Sequence, residues 1–242
     1  MPGQYPPPVP PQRGGAGKAI AITVGALVVV GALVGGAMFF LGGGAGGDGD
    51  VKPYTMVMPE SVLDGKFTKA TETTPDQTKS VANDQEAKAA GVENGTVVQQ
   101  IYGNADKQWL SVGGVYGNIA DPNKTVSALI ATNDEKQKQR SLKTQVETVT
   151  PWTDFTPSGF DGAVMKCKAE KSTFTYGTVS SSVEFSTCMW GDTSAVGVVQ
   201  HRVTKSQGGI AGAATNSSGS VMSAKELSEA AAKVRNEVRK EK

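Results

Sequence analysis

Hydrophobic and polar positions divide this chain into three regimes. Ala19 to Leu41, AIAITVGALVVVGALVGGAMFFL, is apolar for 23 residues, with Thr23 as its single hydroxyl. From about residue 54 to 206 short apolar stretches alternate with polar neighbours, the period of half-buried strands. From Ser223 onward Leu227, Ala230, Ala231, Val234 and Val238 recur at helical spacing.

At about 1.5 Å per residue, a helix over 19–41 spans roughly 34 Å, enough to cross a hydrocarbon core of about 30 Å. A buried soluble helix fits poorly, because the run is apolar all round and lies between two segments unable to build a core. A cleaved signal peptide usually has a shorter apolar region and a small-x-small end. Here the run ends in bulky Met38-Phe39-Phe40-Leu41, although Gly44-Ala45-Gly46 leaves processing open. The reading is an uncleaved signal anchor. Arg13 and Lys18 precede it without an acidic residue, and Asp48 and Asp50 follow it. The positive-inside rule therefore places the N-terminus in the cytoplasm and the C-terminal bulk outside, at the plasma membrane. Gly31 and Gly35 form a GxxxG pair suited to close helix contact and a homodimer. The blander account is that glycine is common in membrane helices.

The flanks are simple. Residues 1–18 carry six prolines and read as a disordered, extended cytoplasmic tail. It is either a spacer or a docking peptide. Residues 42–53 begin GGGAGGDGD, a flexible tether. The expected organisation is then an extracytoplasmic domain over 54–206, a loop over 207–222 and an amphipathic helix over 223–242. Ser223 and Glu226 supply a capping box for that helix.

Within the domain, Thr74-Pro75-Asp76-Gln77 predicts a helix start and Gly91 its end. TVVQQIYG and WLSVGGVYG, joined by a polar turn, predict a hairpin. AVMKCKAE and VEFSTCMWGD predict a second one. Val183, Phe185, Thr187 and Met189 alternate as one buried face. IYGN, VYGN, TYGT and MWGD place an aromatic before glycine at 102, 116, 176 and 190, so the second pair is displaced by 74 residues from the first. This suggests a duplicated helix–hairpin unit, with the second helix near Asp134–Gln145. Coincidence in a glycine-rich β protein is the alternative. The predicted fold class is α+β: an antiparallel sheet built from two such units, preceded by a single transmembrane helix. The aromatics read as packing residues rather than ligand platforms.

Composition narrows the chemistry. Net charge is +1, and no basic stripe interleaved with aromatics points to nucleic acid. Two cysteines, Cys167 and Cys188, fall in the second hairpin; outside the cytoplasm they predict one structural disulfide. Two thiols and one histidine supply too few ligands for a metal site. No cofactor motif is present. His201 is the single histidine and lacks a nucleophile elbow. Asp154, Asp161 and Asp192 read as turn residues. No catalytic residue is assigned, and the chain reads as a non-enzyme.

PSGFDGAVMKC at 157–167 and CMWGDTSAVGVV at 188–199 resemble segments of a group of uncharacterised actinobacterial membrane proteins. These have a Pro/Gly-rich cytoplasmic tail, one membrane helix and an extracytoplasmic domain with a cysteine pair. The likeness covers the tail, the helix and residues 150–200 well, and 54–150 loosely. It implies a cell-envelope setting and the disulfide, but no activity. Three functions follow as expectations. The first is a membrane-anchored binding or interaction domain whose partner is an envelope protein or small ligand. The second is an accessory subunit associating through Gly31 and Gly35. The third is an atypical envelope hydrolase.

Overall fold

The computed structural model describes residues 51–70, 77–141, 145–176, 179–207 and 216–241. The expected spanning segment, with Gly31 and Gly35, lies outside the described residues, as do Arg13 and Lys18. Among the described residues no helix is long and apolar enough to cross a membrane.

A nine-stranded, wholly antiparallel sheet dominates. It is built from β2 (Ser61–Val62), β3 (Phe67–Lys69), β4 (Gln77–Ser80), β5 (Val92–Gly103), β6 (Trp109–Ile119), β7 (Gln145–Asp154), β8 (Val164–Tyr176), β9 (Val179–Gly191) and β10 (Ala195–Gln207). The spatial order is β2-β3-β5-β6-β10-β9-β8-β7, with β4 also paired to β5. β1 (Tyr54–Met56) and β11 (Arg239–Glu241) form a separate two-stranded ribbon. Three helices complete the fold: α1 (Gln85–Ala89), α2 (Pro122–Ser141) and α3 (Ala224–Val238).

This corrects the α+β expectation of two duplicated helix–hairpin units. The two hairpins, β5–β6 and β8–β9, do form, but β10 lies between them and pairs with both β6 and β9. The strands flanking the hairpins also differ: a ten-residue β7 lies against β8, where only a four-residue β4 lies against β5. The helices are unequal, five residues in α1 against twenty in α2. The molecule is a mainly antiparallel β protein, continuous across its halves. The helix expected from Thr74 to Gly91 is also revised. Gln77–Ser80 pairs with Thr96–Gln99 as a strand, and helix is confined to α1. The apolar face over 81–90 was too thin to outweigh the open edge of β5. Residues 71–76, which hold its proposed cap, lie outside the described residues.

Both sheet faces are covered, which explains why the central strands are apolar at successive positions rather than alternating. One face packs Val98, Leu110, Val112, Met165, Cys167, Cys188, Trp190 and Val199 against α3 and the ribbon residues Tyr54 and Met56. The other packs Val97, Val164, Met189, Val196 and Val198 against Ala87 of α1 and Val126, Leu129 and Ile130 of α2. The stripe of α3 is as its sequence predicted, and the Ser223–Glu226 capping box is formed. Cys167 and Cys188 are register partners on β8 and β9 and are joined by a disulfide, Cα–Cα 4.1 Å.

Trp190 organises the α3 face. In one cross-strand row, Gly114, Gly197 and Trp190 lie side by side. The indole rests on the bare backbone of Gly197, where an added Cβ would fall 2.1 Å from Cζ2. Glycine in a strand interior is unfavourable unless something must approach closely, and here a tryptophan does. Gly197→Ala therefore destabilises the protein by about 1–3 kcal/mol through overpacking. Gly113→Ala, whose nearest added contact is an ordinary 3.4 Å, changes stability by less than about 1 kcal/mol. Denaturant titrations of the two variants check the contrast.

Candidate functional site: a lysine–tryptophan cleft beside the edge strand

Helix α2 begins where Asp121 accepts from the Lys124 amide and Pro122 occupies the first turn. Val126, Ile130, Asp134 and Gln137 follow at spacings of four, four and three, so they share one helix face. The first half of that face is apolar and sits on the sheet; the second half turns polar. Beneath it β8 presents Lys168 and Glu170, two residues apart and thus on the same sheet face. Edge strand β7 has register shifts between Thr148 and Thr150 and between Thr150 and Thr153. Such bulges re-aim side chains, and Pro151 is tolerated because the strand is an edge. The result brings Trp152 over Lys168.

Lys168 is buried, at 4% exposure. Its ammonium donates to Gln137 Oε1 at 2.7 Å and Asp134 Oδ1 at 3.2 Å, and ion-pairs with Glu170 Oε2 at 2.9 Å. The Trp152 ring centroid lies 5.0 Å away, within cation–π range. Gln137 Nε2 donates to Glu170 Oε1 at 2.7 Å, and Trp152 Nε1 donates to Asp134 Oδ1 at 3.1 Å. Glu170 Oε2 faces Lys168 outside hydrogen-bond alignment and has no hydrogen-bonding partner. These groups, with Lys138, Val146, Thr148 and Pro151, line a cleft of about 380 Å³. That volume is within the usual range for small-molecule sites, roughly 300–1,000 Å³. Asp134 and Glu170 balance Lys168 and Lys138, so the formal charge of the walls is zero. A lysine compensated in this way serves as a fixed hydrogen-bonding wall rather than a free nucleophile.

The cysteines face away from this cleft, among the residues packed against α3. Asp192, expected as a turn residue, has two roles. It accepts from the Ser194 and Ala195 amides, and it receives Arg235 and the Tyr54 hydroxyl at 2.7 and 2.6 Å in a fully buried cluster. Asp161 joins Arg235 and Arg239 at its rim. Burial works against the Asp161 charge, and the two arginines outweigh it, holding its carboxyl below the usual range. Asp154 pairs with Lys166 on the surface. Of the aromatic–glycine units, Tyr102 and Trp190 are core residues and Tyr116 packs against the core. The TYGT unit falls partly outside the described residues. The sequence reading missed the cleft. The alternation of Lys168 and Glu170 within β8 was its one visible signal.

No family model matches the chain, and neither does any curated protein sequence.

His201 is 1% exposed, with both ring nitrogens occupied. Nδ1 accepts from the Met222 amide at 3.0 Å, so Nε2 carries the proton toward Gln108 Oε1 at 3.2 Å. The ring thereby ties Met222, just ahead of α3, to the sheet. Burial depresses its pKa from 6.5 to about 4. The unfolded chain consequently takes up a proton first as pH falls. The stabilisation is intact above about 6.5 and is lost between there and about 4, a loss of about 3 kcal/mol. Denaturant titrations at pH 7.5 and 4.5 test this: His201→Gln shows a markedly smaller loss across that interval than the wild type.

Proposed function

We propose that this protein is a membrane-anchored binding domain working on the outer side of the plasma membrane, and that its ligand is a small polar molecule held in the cleft between α2 and β7. The single observation that carries the reading is the cleft itself: an aromatic wall and a buried lysine held by Asp134, Gln137 and Glu170, brought together at the sheet edge. Ligand sites are usually concave with a few well-placed polar groups. The electroneutral walls suit a neutral or zwitterionic molecule better than a multiply charged one.

Placement outside the membrane rests on the apolar run over 19–41, the flanking Arg13 and Lys18, and the resemblance to envelope proteins. The Cys167–Cys188 disulfide supports it, since structural disulfides persist mainly in oxidising compartments. The proposed partners are accordingly the lipid bilayer and the cleft's ligand.

The test uses the full chain in nanodiscs and a fragment collection of neutral and zwitterionic polar molecules, read by ligand-observed NMR. Binders are expected whose signals are lost with Trp152→Ala, and with Thr148→Trp, which fills the cleft from an exposed position. Binding that survives both substitutions contradicts the reading.

A further inference from the structure

On the α2-side face of the sheet, one cross-strand row reads Trp109, Arg202, Phe185, Glu170 and Thr148. Alternation fixes the direction. Val196 and Val198 face α2, so Arg202 projects to the same side. Trp109 and Phe185 flank it directly on β6 and β9, and all three are half-buried.

Arg202 is unusual among the basic residues of the domain. Lys168 has three partners, and Arg235 has two carboxylates. The Arg202 side chain has no hydrogen bond or ion pair among the described residues, and its Nε is buried without a partner. The nearest carboxylate along the row, Glu170, is two strands away, about 10 Å, and is already paired with Lys168. Its two terminal nitrogens are not buried. A guanidinium so placed has lost hydration at Nε without gaining an anion, an arrangement that costs stability unless something else supplies the counter-charge.

We propose that Arg202, between Trp109 and Phe185, is a binding site for the carboxylate of a small organic molecule with an apolar body. One uncompensated positive charge matches a monoanion, and the planar guanidinium fork matches the two oxygens of a carboxylate. The flanking rings supply the surface for the attached apolar group. The inference goes beyond the cleft reading and does not depend on it.

Benzoate is the probe, with inorganic phosphate and benzamide as comparators, at constant ionic strength. The full chain is studied in nanodiscs of zwitterionic lipid with ¹⁵N-labelled arginine. The chain has five arginines, so the Arg202 Nε–H signal is assignable from Arg202→Lys. Benzoate is expected to shift that signal and the Trp109 indole N–H saturably; benzamide should not, and phosphate should act more weakly. Arg202→Lys should weaken benzoate binding roughly tenfold, from loss of the planar fork. Arg202→Met should abolish it and raise Tm, because an unpaired, partly buried charge is removed. An adventitious ion site is indicated if phosphate equals benzoate, and that overturns the proposal. So does an equal response to benzamide, or no saturable response at all. A fall in Tm with Arg202→Met assigns Arg202 to the fold instead, and likewise overturns it.

Discussion

The fold hangs on a buried ion pair. Arg235 and Asp192 have no exposed side-chain surface, and they join Nη2 to Oδ2 at 2.7 Å and Nε to Oδ2 at 3.0 Å. Asp192 simultaneously closes the β9–β10 turn through the Ser194 and Ala195 amides and receives the Tyr54 hydroxyl. One carboxylate thus ties together the last helix, the first strand and the central hairpin. Burying two charges is expensive, and it is tolerated only where hydrogen bonds satisfy nearly every donor and acceptor. Here they do: Arg235 also reaches Asp161 and lies over the rings of Tyr54 and Phe160. Burial and the neighbouring Asp192 charge both raise the Tyr54 pKa, so its hydroxyl remains a donor.

The two faces of the sheet consequently differ in character. On the α3 side, the ion pair, the disulfide, the Trp190–glycine contact and the His201 clamp join helix, ribbon and strands. On the α2 side, coverage stops where the helix face turns from Ile130 to Asp134. Beyond that point lie the lysine–tryptophan cleft and, further across the same face, the unpaired Arg202. A face tied together by covalent and buried polar contacts, opposite one that leaves a polar cleft open, is the arrangement expected of a scaffold that presents a site.

Local features were legible in the sequence where one short segment contained the whole signal. The capping box of Ser223 and Glu226, the stripe on α3, both hairpins and the cysteine pair are of that kind. What escaped depends on residues far apart in the chain. The burial of Arg235 has no local signal, because its partner Asp192 lies 43 residues earlier. The insertion of β10 between the two hairpins follows from pairing choices that a repeat of aromatic–glycine units does not encode. Those glycines proved to have unrelated reasons for being there. Gly191 packs against α2 and Gly117 against the backbone of Glu93. The cleft was invisible because it needs α2, β8 and a bulged β7 together.

A double-mutant cycle on Asp192→Asn and Arg235→Met tests the central claim most directly. Asparagine keeps an oxygen for the Ser194 and Ala195 amides, so the cycle isolates the charge pair. Each single change is expected to cost about 3–5 kcal/mol, since it strands a buried partner. The double variant should recover at least about 1 kcal/mol of the summed loss, with amide exchange accelerating in α3 and β1 together. Strictly additive losses, or single changes of less than about 0.5 kcal/mol, would contradict the account.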